Sequence, residues 1–106
     1  MFARNVSMHL KPNTLAEFSR TMENEILPLL RKQKGFRDEI TFAIPGGKDV
    51  VAISLWDEKQ NAEAYSTSAY PEVLRTLSKV VEGNPEVRTF DVTSSTLHKI
   101  AVPAVA

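Results

Sequence analysis

Along 106 residues, segments patterned as strand, helix, strand, strand, helix and strand follow one another. That order predicts an α+β fold, an antiparallel four-stranded sheet with both helical segments on one face, the ferredoxin-like β-α-β-β-α-β plait. Two further observations sharpen the expectation. Pro45-Gly46-Gly47 supplies the positive φ angles of a hairpin between the second and third strands. Residues 50 to 56, VVAISLW, are apolar or small at nearly every position, whereas a strand with one wet face would alternate. Both faces of that strand are therefore expected to be buried. The helices can cover one, and no segment of so short a chain is left for the other, so a second copy of the protein is the economical answer.

The first strand, FARNVSMHL, places Val6, Met8 and Leu10 on one side and Asn5, Ser7 and His9 on the other. Lys11-Pro12-Asn13 breaks it, since proline cannot extend a central ladder. Thr14 and Glu17 have capping-box spacing, and Leu15, Phe18, Met22, Ile26 and Leu29 then form the stripe of a helix that RKQK and Gly35 close. Pro28 inside it implies a kink or restart. Phe36, Ile40, Phe42 and Ile44 alternate with Arg37, Glu39, Thr41 and Ala43, a drier and a wetter face that suit an edge strand. After the central strand ends at Trp56, Asp57 is placed to cap the next helix with Gln60 reciprocating. That helix carries Ala62, Ala64 and Tyr65 and meets a polar break at Ser66-Thr67-Ser68, and Pro71 suits the first turn of another. Val73, Leu74, Leu77, Val80 and Val81 are its stripe, Gly83-Asn84-Pro85 its end, and residues 86 to 96 the last strand. The whole chain, 1 to 106, reads as one domain, with 97 to 106 an arm lying across a partner.

Composition narrows the function classes. Cysteine is absent, so disulfides, thiol nucleophiles and thiolate metal sites are excluded. Thirteen basic and thirteen acidic residues are interspersed, without the clustered Lys and Arg that nucleic-acid binding rests on. No apolar run approaches the ~20 residues of a membrane span, and MFARNVSMHLKPN offers no secretion signal, so a cytoplasmic protein is expected.

Four stretches, ARNVSMHLKPN, KGF, ISLWDEKQNAEAY and SAYPEVL, give residues 2 to 96 a resemblance to the antibiotic-biosynthesis-monooxygenase family of dimeric α+β barrels. The resemblance implies a homodimer closed by two sheets packed face to face. It also implies a fold shared by cofactor-free oxygenases of aromatic polyketides, quinol oxygenases, haem-degrading oxygenases and members without assigned activity, so it does not fix function. The haem-degrading branch uses an asparagine on the first strand, a tryptophan in the helix after the third, and a histidine on the following helix as iron ligand. Asn5 matches the first, Tyr65 stands at the tryptophan position, and Pro71 to Val81 contain no histidine. Without an axial ligand the resemblance implies no haem, and neither a cofactor nor a metal is expected.

Asn5, Ser7 and His9 share one face of a central strand, where buried polar groups must find partners or line a cavity. The resemblance puts Asn5 in the cavity between sheet and helices as a catalytic hydrogen-bond donor, and parity carries Ser7 and His9 with it. His9 is the nearby group able to exchange a proton near neutrality, although a lone histidine is more readily structural. Trp56 reads as a packing residue that could wall a cavity, and Tyr65 and Tyr70, apolar rings with polar tips, read as core or as ligand-facing. No carboxylate pair or His/acidic set has metal or hydrolase spacing, and Pro45-Gly46-Gly47-Lys48 is too short for a phosphate loop. Two functions follow: a cofactor-independent monooxygenase of a small electron-rich aromatic such as a quinol or anthrone, or a non-catalytic dimeric domain that binds small ligands or serves in stress.

Overall fold

The structure, a computed structural model, describes residues 1–101. Its elements are β1 (Phe2–Leu10), α1 (Leu15–Thr21), a π-helical turn (Met22–Ile26), α2 (Leu27–Arg31), β2 (Phe36–Ala43), β3 (Asp49–Trp56), α3 (Lys59–Ser68), α4 (Tyr70–Leu77) and β4 (Val81–Asp91). The strands form one sheet in the order β2-β3-β1-β4, with every neighbouring pair antiparallel. The helices pack on one face, where Phe18, Met22, Ile26, Leu30, Val73 and Leu77 meet Val6, Met8, Leu10 and Val50 in a single core. This is the plait that the order of the segments predicts. Among the described residues no helix is long and apolar enough to cross a membrane.

Local details depart from the expected ones for physical reasons. Thr14 precedes α1 as expected, but its hydroxyl donates to the Lys11 carbonyl at 2.7 Å rather than closing a capping box with Glu17. The disturbance that Pro28 predicts takes the form of the π-turn. Pro28 has no N–H to offer the carbonyl four residues earlier, and the Leu27 N–H bonds to the Met22 carbonyl across the wider turn. Helix α3 is capped one residue later than predicted, by Glu58 with Asn61, leaving the Asp57 carboxylate to pair with the Arg37 guanidinium. Ser66, Thr67 and Ser68 do not break α3. The hydroxyls of Thr67 and Ser68 turn back onto the Ala64 carbonyl at 3.2 and 2.7 Å, and the break falls at Ala69, two residues before Pro71.

The last strand is the largest correction. It runs from Val81 to Asp91, not over residues 86 to 96, and Gly83-Asn84-Pro85 lies inside it rather than ending a helix. Ser7 pairs with Glu86 but His9 with Glu82, so β4 carries extra residues in a bulge there. Gly83 at φ 70° makes the bend, and the proline is tolerated because it falls in the bulge of an edge strand, where the ladder is interrupted.

β2 is an edge strand, as its alternation suggests, but its dry and wet sides are placed unexpectedly. Ile40 and Phe42 pair in register with Ile53 and Val51 on the face without helices and remain 45% and 55% exposed. Glu39 and Thr41 point to the helices. An extra residue at Arg37 flips the parity, so that Phe36 lies opposite Trp56 on the helix face while Asp38 lies opposite Leu55 on the other. On β3, Val50, Ser54 and Trp56 are buried beneath the helices and Val51, Ile53 and Leu55 are half-buried on the bare side. The double burial read from VVAISLW is thus half complete in one protomer.

After β4 the described residues form no further helix or strand, and His98 pairs with Asp38 at the opposite edge of the sheet. Of the expected arm, residues 102 to 106 lie outside the described residues.

Gly35 sits at φ 79°, and a Cβ there would lie 2.2 Å from the Asn61 side chain, which accepts the Glu58 N–H at 3.1 Å. Gly46 has a similar φ of 72° but open space around it. Gly46→Ala should therefore cost only the left-handed strain, about 1 kcal/mol. Gly35→Ala should cost several-fold more by also dislodging the cap of α3, and urea unfolding of the two variants checks the difference.

Candidate functional site

The alternation of β1 decides which residues can meet. Arg4, Val6 and Met8 face the helices, and pairing extends one row across the sheet as Glu39, Ser54, Arg4 and Thr89. Three of these, Glu39, Ser54 and Arg4, line a cavity of about 40 Å³ between sheet and helices. Met22 and Ile26 from the π-turn, Leu30, Tyr65, Tyr70, Val73, Leu74 and Leu77 form much of the rest of its wall. Pro85, in the β4 bulge, closes it from the side. Tyr70, Leu74, Leu77 and Pro85 also line a wider groove of about 390 Å³ between α4 and the start of β4.

Arg4 is 3% exposed, with its guanidinium carbon 4.3 Å from the centre of the Tyr70 ring and 5.2 Å from that of Tyr65. Tyr65 leans on Tyr70 at 5.9 Å and on Trp56 at 5.0 Å, so the aromatic side chains form a continuous wall behind the arginine. Trp56 is fully buried, donates its Nε1–H to the Ser54 Oγ at 2.9 Å, and meets the edge of Phe36.

The cavity raises the proton affinity of its acids. Burial pushes the Tyr65 phenol up to about 12, with Arg4 opposing the shift and Tyr70 and Glu39 adding to it. Burial also raises Tyr70, while the Arg4 guanidinium beside it pulls the other way. The Glu39 carboxyl is raised above the ordinary carboxylate range by desolvation, offset by the Thr41 hydroxyl that donates to it at 2.6 Å. At neutral pH the site therefore sets two neutral phenols and a carboxyl group whose proton is easier to regain than usual beside the Arg4 guanidinium.

The predicted site residues divide. Tyr65 and Tyr70 line the cavity, and Trp56 stands behind Tyr65. Asn5, Ser7 and His9 do not join them, because they occupy the alternate positions of β1 and point away from the helices. The Ser7 hydroxyl donates to the Asn5 side-chain oxygen at 3.4 Å, and both are half-buried on the bare face. His9 is exposed near the end of that strand and pairs with Asp49. The expectation that Asn5 lies in the helix-side cavity is corrected by this parity. Arg4 and Glu39 are the residues that sequence reasoning passed over. The signal for Arg4 was present, since it falls in phase with Val6, Met8 and Leu10, a charge in the buried stripe of a central strand.

Among solved structures, this chain is similar to a monooxygenase from the gene ActVA-Orf6 of Streptomyces coelicolor in complex with nanaomycin D. Identity is 18%, coverage 92% of each chain, and TM-score 0.75. It is also similar to SnoaB, a cofactor-independent oxygenase from Streptomyces nogalater, at 12% identity, covering 92% of this chain and 97% of that one, TM-score 0.75. The chain has the fold of the antibiotic biosynthesis monooxygenases. A protein of unknown function from Nitrosomonas europaea shares that fold at 14% identity, with 92% and 94% of the two chains covered and TM-score 0.76. No family model matches the sequence, and no curated protein matches it significantly. In this monooxygenase fold, the sheet-and-helix cavity with Arg4, Glu39, Tyr65 and Tyr70 is the candidate site.

Tyr65 and Tyr70 are the two tyrosines of the chain, so their ionisation can be followed directly by phenolate absorbance. The Tyr65 step should come near 12, above the ordinary value of about 10, and should vanish in Tyr65→Phe. Because the folded value lies above the unfolded one, this tyrosine's contribution to stability is present below about pH 10 and is lost as pH rises through about 12, on the order of 2–3 kcal/mol in all.

Proposed function

We propose that the protein is a cytoplasmic homodimer that binds a small aromatic of quinol or anthrone type against the helix face of its sheet and promotes its oxidation by dioxygen without a cofactor. The observation that carries this reading is the mostly apolar cavity that Glu39, Arg4 and two tyrosines line together. The likeness in fold to cofactor-independent oxygenases supports it. Such chemistry asks little of a protein: a dry chamber, a group to accept the proton, and donors for the developing oxyanion. Glu39 takes the first proton, since burial brings its affinity toward the operating pH. The substrate's own anion then reduces dioxygen. For an anthrone, one oxygen atom becomes the new carbonyl at the methylene carbon and the other leaves as water with the two displaced hydrogens, so no outside reductant is needed. Tyr70 flanks the ring, Tyr65 walls the inner chamber, and Trp56 backs Tyr65.

In this reading the bare face is the dimer interface. Ile40, Phe42, Ile53, Leu55 and Phe90 form an apolar patch there, with Asn5 and Ser7 at its centre. Asn5, Ser7 and His9 then serve the interface and its rim rather than the chemistry.

A second reading, a non-catalytic ligand-binding dimer, is favoured by the narrowness of the inner chamber, about 40 Å³. An oxygen electrode separates the two. The oxygenase should consume dioxygen with at least one member of a panel of hydroquinones and anthrones, with no metal, flavin or haem added. Glu39→Gln should slow turnover by on the order of 10²–10⁴. Binding of such compounds without oxygen uptake establishes the second reading, and a fully active Glu39→Gln removes Glu39 from the mechanism.

A further inference from the structure

We infer that the ligand this pocket is built to hold is an aromatic bearing an oxyanion, a carboxylate or a phenolate, and that Arg4 is the residue that selects it. The inference rests on the helix-face cavity being the ligand site. Arg4 stands on a central strand with its side chain almost wholly removed from water. Burying a guanidinium is costly unless an opposite charge compensates it. Among the described residues Arg4 takes part in no ion pair. Glu39, the carboxylate that lines the same cavity, stands two strands away in the same row with Ser54 between, roughly 10 Å at ordinary strand spacing. It is engaged by the Thr41 hydroxyl instead. What surrounds the guanidinium is two neutral tyrosines, the faces of Tyr65 and Tyr70 and the Tyr70 hydroxyl, and these neutral contacts offset only part of the desolvation. A planar fork of N–H donors that opens on the cavity and has no carboxylate partner is the receptor for a planar oxyanion.

The shape of the cavity agrees. The inner chamber of about 40 Å³ admits a carboxylate or a phenolate oxygen but not a ring. The adjoining groove of about 390 Å³, walled by Leu74, Leu77, Val81 and Pro85, has the size and character for one or two fused rings. Shared side chains join the two volumes, which places an anionic head beneath Arg4 and an apolar body between α4 and β4. For the proposed oxidation the same contact would hold the substrate in the ionised form that gives electrons to dioxygen.

The test is calorimetric titration of the full chain with 2-naphthoate, with its uncharged analogue 2-naphthylmethanol, and with 4-nitrophenolate. The expected result is a preference of roughly 10- to 100-fold for naphthoate over the alcohol, the size of a charge-assisted hydrogen-bond pair. Arg4→Met should reduce that preference to less than threefold, and Arg4→Lys should keep part of it. Because Arg4→Met removes an uncompensated buried charge, it should melt no lower than the wild type. Comparing naphthoate with nitrophenolate tells a carboxylate site from a phenolate site. Equal affinity for acid and alcohol would overturn the selection by charge while leaving the pocket in place. A large drop in the melting temperature of Arg4→Met would overturn it too, by showing Arg4 to be a structural counter-charge. If none of the three compounds binds, the pocket itself is not the ligand site and both readings fall.

Discussion

Strand β1 lies between β3 and β4, and its strict alternation is the constraint on which the rest of the molecule depends. Consecutive side chains of a strand point to opposite faces, so one phase of this strand commits Arg4, Val6 and Met8 to the helices and Asn5, Ser7 and His9 to the bare side. Antiparallel pairing copies that division to both neighbours. Ser54 and Ala52 follow Arg4 and Val6, while Ile53 and Val51 follow Asn5 and Ser7. A slip of one residue would exchange the two sets and bury the polar one beneath the helices. The sheet therefore has one face that builds a pocket and one that presents an apolar surface, and the same register determines both.

The pocket face joins irregularities that a uniform plait would lack. The π-turn before Pro28 presents Met22 and Ile26 to the cavity, and the β4 bulge around Gly83 brings Pro85 to its rim. Each is a place where regular hydrogen bonding is interrupted, and such interruptions are common beside functional sites because they redirect side chains. Between them the row from Glu39 to Arg4 sets a carboxyl group and a guanidinium two strands apart, and no ion pair joins them among the described residues. In a medium of low polarity that separation leaves each group's charge to be met by whatever enters.

Much of this was legible in the sequence. The element order, the hairpin at Pro45-Gly46-Gly47, the edge position of β2 and the apolar run of β3 all rest on short-range patterns that the fold obeys. The failures were those of parity and register. Arg37 as an extra residue in β2 and the bulge opposite Ser7 and His9 depend on partners far away in the chain, which no local pattern reports. The Gly83-Asn84-Pro85 triplet has the composition of a loop, and only its edge position lets it remain strand. For the site, Tyr65 and Tyr70 could be nominated from their chemistry, whereas Asn5 was placed by resemblance and fell on the wrong face. Arg4 and Glu39 were hidden because isolated charges in strands are usually solvated. Only the three-dimensional row shows Arg4 buried and Glu39 half-buried against the same cavity.

In the proposed dimer the bare face of the sheet is completed by a second copy, leaving the helix face free for a ligand. Sedimentation equilibrium at micromolar concentration measures it most directly. The account predicts a mass of twice the 11.8 kDa chain for the wild type and a folded monomer for Ile53→Glu, which sets a charge in the middle of that face. A wild-type protein that sediments at 11.8 kDa would contradict it.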